Sequence, residues 1–204
     1  MKIIFSLLIF ISLTSLSKIN SGASTHCVVQ KHYHSQADSL NWLQSFNDFR
    51  TAVYSSDINK VKSFFNFPIV DDNNEIWQLV YQGNENERGE LSAKKPFTAQ
   101  DFEKHFNGLF SKKFRNAIVK LHSGDLGKKG ESETAAFKEN NTTTYKMYAT
   151  VDKIEKTLTL SLAFRTVLKD EKGKVEGSEE YGTLYVFNIL SNGQIKFKGI
   201  RLTA

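Results

Sequence analysis

The apolar residues of this chain change their spacing near its middle, and that change limits the folds open to it. Over most of the stretch from Leu40 to Leu121, apolar side chains recur every three or four residues, which is the spacing of one helix face. From Thr144 onward they alternate with polar side chains, as in a strand with one buried side. Helices followed by strands predict an α+β fold with helices on one face of an antiparallel sheet.

Two adjoining helices are predicted at the front of this domain. Four apolar residues fall at i, i+4, i+7 and i+11 on one face: Trp42, Phe46, Phe49 and Val53. The polar residues Ser55 to Asp57 then interrupt the pattern and can cap a second helix, whose core positions run from Ile58 to Phe65. Pro68 ends that helix, because it disfavours helical geometry at Phe67 and has no N–H to donate.

The middle of the chain is predicted to hold a strand, a third helix and two polar loops. Alternating residues from Glu75 to Gln82 predict the strand, and residues 83–95 the first loop. Thr98 and Asp101 have the spacing of a capping box at the start of the third helix, which Gly108 and Ser111 interrupt. Residues 123–142 are mainly small or charged, so we expect a surface loop there.

Four long strands are predicted after residue 144. The last two flank Ser191-Asn192-Gly193, and the Asn-Gly pair predicts a tight hairpin turn with positive dihedral angles. The apolar set changes phase across Gly199, which indicates a bulge or bend in the final strand.

The first residues have the layout of an export signal. Lys2 precedes an apolar run to Leu16 that is shorter than the ~20 residues needed to span a bilayer. Ser21-Gly22-Ala23 then offers the small residues that a signal peptidase reads. We expect cleavage after Ala23, with the bond after Ser17 as the second choice, and a secreted or periplasmic protein without stable membrane insertion.

Domain boundaries follow from this reading. Residues 1–23 form the signal peptide, 24–37 a flexible polar segment, and 38–204 a single domain. Removing Lys2 and Lys18 with the signal peptide leaves 25 Lys and Arg against 22 Asp and Glu, a formal charge of +3. This dispersed charge argues against a nucleic-acid partner. With Cys27 as the sole cysteine, an internal disulfide is impossible, and a domain of this size needs neither a metal nor a disulfide framework to fold. We expect no cofactor.

One metal hypothesis concerns the predicted mature terminus. If the chain begins at Ser24, then His26 is its third residue. A free amine, two backbone amides and an imidazole can bind Cu(II) or Ni(II) in the square-planar geometry those ions favour. A histidine at the third position also arises by chance, and the other His and Cys residues nearby match no closed zinc template.

The order of elements resembles the NTF2-like superfamily, also called cystatin-like or SnoaL-like. The residues that carry the resemblance are the two front helices, the Phe64-Phe65-x-Phe67-Pro68-Ile69 exit, the strand that follows it, and the T-x-x-D-F-x-x-x-F-x-x-L-F helix from Thr98 to Phe110, followed by four strands. Exported bacterial members of uncharacterised function are similar over about residues 38–203. The resemblance implies a bent sheet that wraps the helices into a cone with a pocket at its open end. A filled α+β sandwich is the alternative.

Candidate pocket residues are aromatic side chains with polar tips and one strand cation: Trp42, Trp77, Tyr81, Arg165 and Tyr185. Arg165 interrupts a strand face of small residues, and its guanidinium could hold a ligand carboxylate. The alternative is that Arg165 is a solubilising residue and that the aromatic residues belong to the core.

Three functions stay open on this evidence. The first is a non-enzymatic module that binds a small apolar or amphiphilic ligand. The second is an enzyme similar to SnoaL or ketosteroid isomerase, which would need an acid–base pair inside the pocket. The third is an interaction domain whose open sheet face binds another protein or a second copy as a homodimer. We expect the first, with no catalytic residue assigned.

Overall fold

The computed structural model of the protein describes residues 34–82 and 95–203, with side chains from residue 42 onward. Within these ranges six helices precede six strands, which confirms the predicted α+β class. The helices are α1 (His34–Ser55), α2 (Ile58–Lys62), α3 (Glu75–Val80), α4 (Ala99–Leu109), α5 (Lys112–Ile118) and α6 (Ser123–Lys129). The strands are β1 (Glu131–Glu133), β2 (Phe137–Lys138), β3 (Thr143–Asp152), β4 (Thr157–Lys169), β5 (Val175–Ile189) and β6 (Ile195–Thr203). The proposed signal peptide, His26, Cys27 and the loop at 83–94 lie outside the described residues.

The sheet is an open antiparallel meander. Strands β3, β4, β5 and β6 follow one another as neighbours, and the short strands β1 and β2 both pair with the same edge of β3. Strands β4 and β5 are longer than their neighbours, so their paired ends extend beyond the registers of β3 and β6. The sheet therefore carries a two-stranded extension that the other strands do not flank.

The two front helices form as their apolar spacing predicts. Trp42, Phe46, Phe49 and Val53 of α1 are all buried in the core. The Asp57 carboxylate accepts a hydrogen bond from Lys60 N at 3.0 Å, which caps α2 as expected for a short polar side chain at that position. These helices pack against the inner face of the sheet, whose buried residues alternate along the strands: Met147, Leu158, Leu160, Leu162, Tyr185 and Phe187.

The strand predicted at Glu75 to Gln82 is wrong, because this segment forms helix α3. Its short apolar run fits either period, and tertiary contacts decide between them. The Asp71 carboxylate accepts from Ile76 N at 2.8 Å, and the Glu75 carboxylate accepts from Leu202 N at 3.1 Å. These bonds fix the start of the helix against β6, while Ile76, Trp77 and Leu79 are buried.

The loop predicted over residues 123–142 is also wrong in part, since α6, β1 and β2 lie within it. Leu126 is buried and anchors α6. Helix α6 also packs closely on α1, because a Cβ added at Gly127 would lie 2.9 Å from Leu43 Cδ2. Ser132 of β1 is buried and accepts from His122 N at 3.0 Å. Contacts of this kind with distant parts of the chain leave no local signal.

The last hairpin forms where the Asn-Gly pair predicts it, with a different turn. Only Gly193 has a positive φ, of 77°, and Asn192 does not. Gly193 N donates to Leu190 O at 2.9 Å and Leu190 N donates to Gln194 O at 2.8 Å, so the loop has three residues. Such loops join a turn of ordinary dihedral angles to one left-handed residue, which explains why Gly193 alone takes a positive φ here.

The predicted bulge of the final strand is confirmed beside Gly199. Val186 pairs with Gly199 and Phe187 pairs with Phe197, so Lys198 is the extra residue. The capping box of α4 is also confirmed. The interruption predicted within this helical region falls at Phe110 and Ser111, where α4 ends and α5 begins, and the Ser111 hydroxyl accepts from Phe114 N to cap α5.

Gly182 tests how closely β4 and β5 approach. A Cβ at Gly182 would lie 2.7 Å from Leu162 O and 3.2 Å from Ala163 Cα, and both of these atoms belong to the backbone. We expect Gly182→Ala to lower the free energy of unfolding by about 1–3 kcal/mol, the usual cost of overpacking. Urea denaturation would measure this change.

Gly177, on the same strand, is the matched control, because a Cβ there would meet nothing within 4 Å. Gly177→Ala should be neutral or slightly stabilising. Equal losses of stability in the two variants would contradict the close approach at Gly182.

The capping box of α4 predicts a pH dependence of stability. Burial raises the pKa of Asp101, but hydrogen bonds from Thr98 and the charges of Lys95 and His105 outweigh it, so this pKa lies below its ordinary value of 3.8. A lowered carboxyl pKa stabilises the fold above pH 3.8, and this stabilisation is lost as the pH falls through the folded-state pKa. Asp101→Asn should therefore be less stable than wild type at pH 7, by about 1 kcal/mol or less.

This difference should narrow as the pH falls through the folded-state pKa of Asp101, because the wild-type carboxylate then takes up a proton and loses its charge. Chemical denaturation at several pH values would follow it. The control is Glu171→Gln in the turn between β4 and β5. A difference for Asp101→Asn that stays constant across this range would show that the carboxylate charge has no part in the cap.

Candidate functional site

The five predicted pocket residues do not gather around one space. Trp77 and Tyr81 stack with ring centroids 5.5 Å apart on the α3 segment. Trp42 is buried on α1. Tyr185 pairs with Leu160 of β4, so their side chains lie on the same face of the sheet. Arg165 is also on β4, an odd number of residues from Leu160, so its side chain lies on the opposite face.

Tyr185 and Trp77 have buried polar tips that are already bonded to the backbone. The Tyr185 hydroxyl donates to Leu109 O at 2.7 Å, and burial raises the pKa of this phenol well above its ordinary value. Trp77 Nε1 donates to Lys95 O at 2.7 Å. Tyr185 thus joins β5 to the end of α4, and Trp77 joins α3 to the segment before α4. The polar atoms of both side chains therefore have a structural role.

Arg165 lies on the outer face of the sheet. Its side chain is 61% exposed, and Nε lies 3.8 Å from Glu180 Oε1 on the neighbouring strand. Such an exposed pair contributes little to stability. Its position on that face separates Arg165 from the aromatic candidates.

Aromatic rings fill much of the interface between helices and sheet. Phe49 contacts Phe64, Phe110 and Phe187 with centroid distances of 5.2, 5.9 and 4.8 Å. Phe65 stacks on Phe197 at 4.5 Å. The clefts described next lie at the margins of this packed interface.

The largest of these clefts has a volume of about 850 Å³. We call it the cationic cleft, and it is lined by Arg50, Val119, Lys120, Leu121, His122, Ser123, Gly124, Asp125, Lys128, Ala135 and Phe137. The cationic cleft therefore brings together residues of α1, the α5–α6 connection, α6 and the β1–β2 region. Its volume lies within the ~300–1,000 Å³ range of small-molecule sites.

Arg50 joins α1 to the wall of the cationic cleft. Its Nη1 donates to Leu121 O at 2.8 Å, and its guanidinium lies 5.9 Å from the centre of the Phe46 ring. Burial lowers the pKa of Arg50, but an arginine remains protonated at neutral pH. Since a guanidinium has five N–H donors, the bond to Leu121 leaves others for a ligand.

The α5–α6 connection is fixed from both sides. Asp125 N and Leu126 N both donate to His122 O at 3.1 Å, while His122 N donates to the Ser132 hydroxyl. The side chains of Lys120, His122 and Lys128 show no ion pair among the described residues. Asp125 is the acidic residue of the lining, and its carboxylate lies 3.1 Å from Lys129 Nζ.

A second cleft, of about 260 Å³, lies between the Asp71–Glu75 turn and β6. Two of its carboxylates are bonded to the backbone, because Asp71 accepts from Asn73 N and Ile76 N and Glu75 accepts from Leu202 N. The cationic cleft is the stronger candidate site, since it is larger and its lysines carry no competing partner in the described structure.

Two further properties of the described residues bear on the site. They contain no group of three or more His, Cys, Asp or Glu side chains arranged to hold a metal ion. None of their helices has both the length and the apolar character required to cross a membrane. The His26 hypothesis lies outside this part of the chain.

Comparison with known proteins gave no match to a protein-family model, to a curated protein or to a solved structure. The site is therefore interpreted from its own chemistry.

Sequence reasoning missed the cationic cleft. Its residues come from positions between 50 and 137 and meet only through the fold. The sequence did show Lys128 in a Gly-Lys-Lys-Gly stretch, which lacks the spacing of a phosphate loop, and Phe137 as a lone aromatic residue in a polar stretch. That isolated phenylalanine was the one available signal.

Tyr185 can be tested as a structural residue. Tyr185→Phe removes the donor to Leu109 O and leaves this buried carbonyl unpaired, so we expect a loss of about 1–3 kcal/mol in the free energy of unfolding. Denaturant unfolding would measure it. Tyr148→Phe, on the exposed face of β3, is the control and should change stability by less than about 0.5 kcal/mol. An unchanged stability in Tyr185→Phe would leave this hydroxyl available for a ligand role.

Proposed function

We propose that this protein is a non-enzymatic binding module that holds a small amphiphilic anion in the cationic cleft. The observation that carries the proposal is the convergence of Arg50, Lys120 and Lys128 on one concave surface with apolar lining. A ligand with one anionic end and one apolar end satisfies both parts of this surface.

The cations of the cleft give the proposal its charge preference. The negative charge of Asp125 is compensated by its ion pair with Lys129, so the net charge of the lining stays positive. We expect Arg50 and the two lysines to have different roles in binding. Arg50 is oriented by its hydrogen bond to Leu121 O, whereas Lys120 and Lys128 are exposed. We expect Arg50 to fix the anion and the lysines to raise its local concentration.

The apolar part of the lining gives the proposal its amphiphilic character. The apolar residues Val119, Leu121, Ala135 and Phe137 line the same cleft. Transfer of an alkyl or aryl group onto them releases water, at roughly 25 cal/mol for each Å² of apolar surface buried. Binding should therefore depend on both the charge and the apolar area of the ligand.

Two further parts of the proposal come from the sequence. We propose export, on the basis of the Met1–Ala23 signal layout, and membership of the NTF2-like superfamily, which the order of helices before an open antiparallel sheet supports. A second candidate function is self-association through the sheet, since Leu168 and Val175 of the β4–β5 extension and Tyr181 beside it are exposed. We favour an isomerase-like enzyme less than these two functions, because the Asp125 carboxylate of the cleft forms an ion pair with Lys129.

Charge reversal in the cleft tests the binding function. Decanoate and decanamide have the same alkyl length and differ in charge, so calorimetric titration of both separates the electrostatic contribution from the apolar one. Wild type should bind decanoate more tightly than decanamide. The double variant Lys120→Glu, Lys128→Glu should weaken decanoate binding by about tenfold, or ~1.4 kcal/mol.

The matched control is Lys172→Glu, Lys174→Glu, which makes the same charge change in the turn between β4 and β5. Decanoate affinity in this control should stay close to wild type. Equal losses in the two double variants, or equal affinities for decanoate and decanamide, would reject the anion site. Native mass spectrometry of protein exported by its own host would show the natural ligand as an added mass, and a dimer mass would favour self-association instead.

A further inference from the structure

We propose that the apolar part of the ligand is a planar aromatic ring that stacks on Phe137, so that the cleft selects small aromatic carboxylates or sulfonates. This inference rests on the proposed function, because it assumes that the cationic cleft binds an anion. It adds the chemical class of that anion.

Four aromatic rings form a continuous row across the sheet, and this row carries the inference. Phe137 of β2 pairs in register with Tyr145 of β3, Tyr145 with Phe164 of β4, and Phe164 with Tyr181 of β5. The successive centroid distances are 4.9, 5.8 and 5.1 Å, and the interplanar angles are 12°, 34° and 4°. We call this set the aromatic row.

Two of the three contacts in the aromatic row are stacked, at interplanar angles of 12° and 4°, and the contact between Tyr145 and Phe164 is tilted by 34°. Each inner ring therefore has a ring neighbour on either side along the row. The middle of the row is further closed by Lys113, whose Nζ lies 5.2 Å from the centre of the Phe164 ring and is paired with Glu139. Phe137 and Tyr181 are the terminal rings of the row, and among the described residues each has a ring neighbour on one side only.

Phe137 is the terminal ring that meets the cationic cleft. Strand β2 lies at the edge of the sheet, and no strand beyond it is present in the described part of the chain. Tyr145 covers one face of the Phe137 ring, so the opposite face is directed away from β3. Phe137 is half-buried and belongs to the lining of the cleft. Tyr181, at the other end of the row, is 41% exposed and does not belong to that lining.

A planar ring bound against Phe137 would add a fifth member to the aromatic row. Offset parallel stacking is favoured by the charge distribution of aromatic rings and adds to the burial of apolar area. The 12° angle to Tyr145 shows that Phe137 is already held in the orientation of the row, so little rotamer freedom is lost on binding. An anionic group on the same ligand can meet Arg50, Lys120 or Lys128, which line the same cleft.

The test compares 2-naphthoate with its saturated analogue decahydro-2-naphthoate, since both are bicyclic carboxylates and only the first has a planar aromatic face. Calorimetry should show that wild type binds 2-naphthoate about two- to tenfold more tightly. Proton NMR should show upfield ring-current shifts for the naphthoate protons on binding. Phe137→Leu should remove both the preference for 2-naphthoate over its saturated analogue and the ring-current shifts.

Tyr181→Leu is the matched control, because it removes the other terminal ring of the aromatic row away from the cleft. This variant should retain the naphthoate preference, and circular dichroism would verify that both variants are folded. Equal affinities of wild type for the two anions, without ring-current shifts, would overturn the stacking proposal and leave the anion site intact. Failure of both anions to bind would overturn the proposed function as well. Equal effects of the two Leu variants would also contradict a site at Phe137.

Discussion

The packing of aromatic rings between helices and sheet is the constraint on which the rest of this structure depends. Phe49 of α1 contacts Phe64, Phe110 and Phe187, and through them it joins the front helices, the end of α4 and strand β5. Large flat side chains bury much apolar area and favour edge-to-face or offset contacts, so they fix the distance and angle between layers. The bond from the Tyr185 hydroxyl to Leu109 O adds a directional link across the same interface. Because these rings occupy the interior, a ligand is better accommodated at its margin than inside it.

How far the fold could be predicted depends on whether each signal is local. The α4 cap requires only Thr98 and Asp101, which are three residues apart, and the strand pattern from Thr144 requires only alternation, so both were confirmed. Helix α3 was mistaken for a strand because its start depends on Asp71 and on the contact of Glu75 with Leu202 N, which is distant in the chain. The hairpin between β5 and β6 is an intermediate case. The Asn-Gly pair predicted the position of the turn correctly, but the loop has three residues, so Gly193 takes a positive φ and Asn192 does not.

The candidate site was less predictable than the fold for the same reason. Tyrosine and tryptophan with polar tips are common both in ligand pockets and in cores, and the sequence does not show whether the tip already has a backbone partner. In Trp77 and Tyr185 it does. The cationic cleft brings together Arg50, Lys120, Lys128 and Phe137, which share no period, motif or spacing. Their proximity follows from the contact of α1 with α6 and from the pairing of β2 with β3.

The cationic cleft is held by bonds that do not involve its lysines, so the contacts that shape it are separate from the cations that we propose bind an anion. Arg50 fixes Leu121 to α1, and Ser132 fixes His122 to β1, so the connection between α5 and α6 is held from two directions. Phe137 is positioned by the aromatic row, which extends across four strands. In general, side chains that are held in place before binding lose little conformational freedom on binding, and this raises affinity without additional contacts. Substitution of the exposed lysines would therefore change the charge of the site without disturbing the packing that shapes it, since their ammonium groups show no ion pair in the described residues.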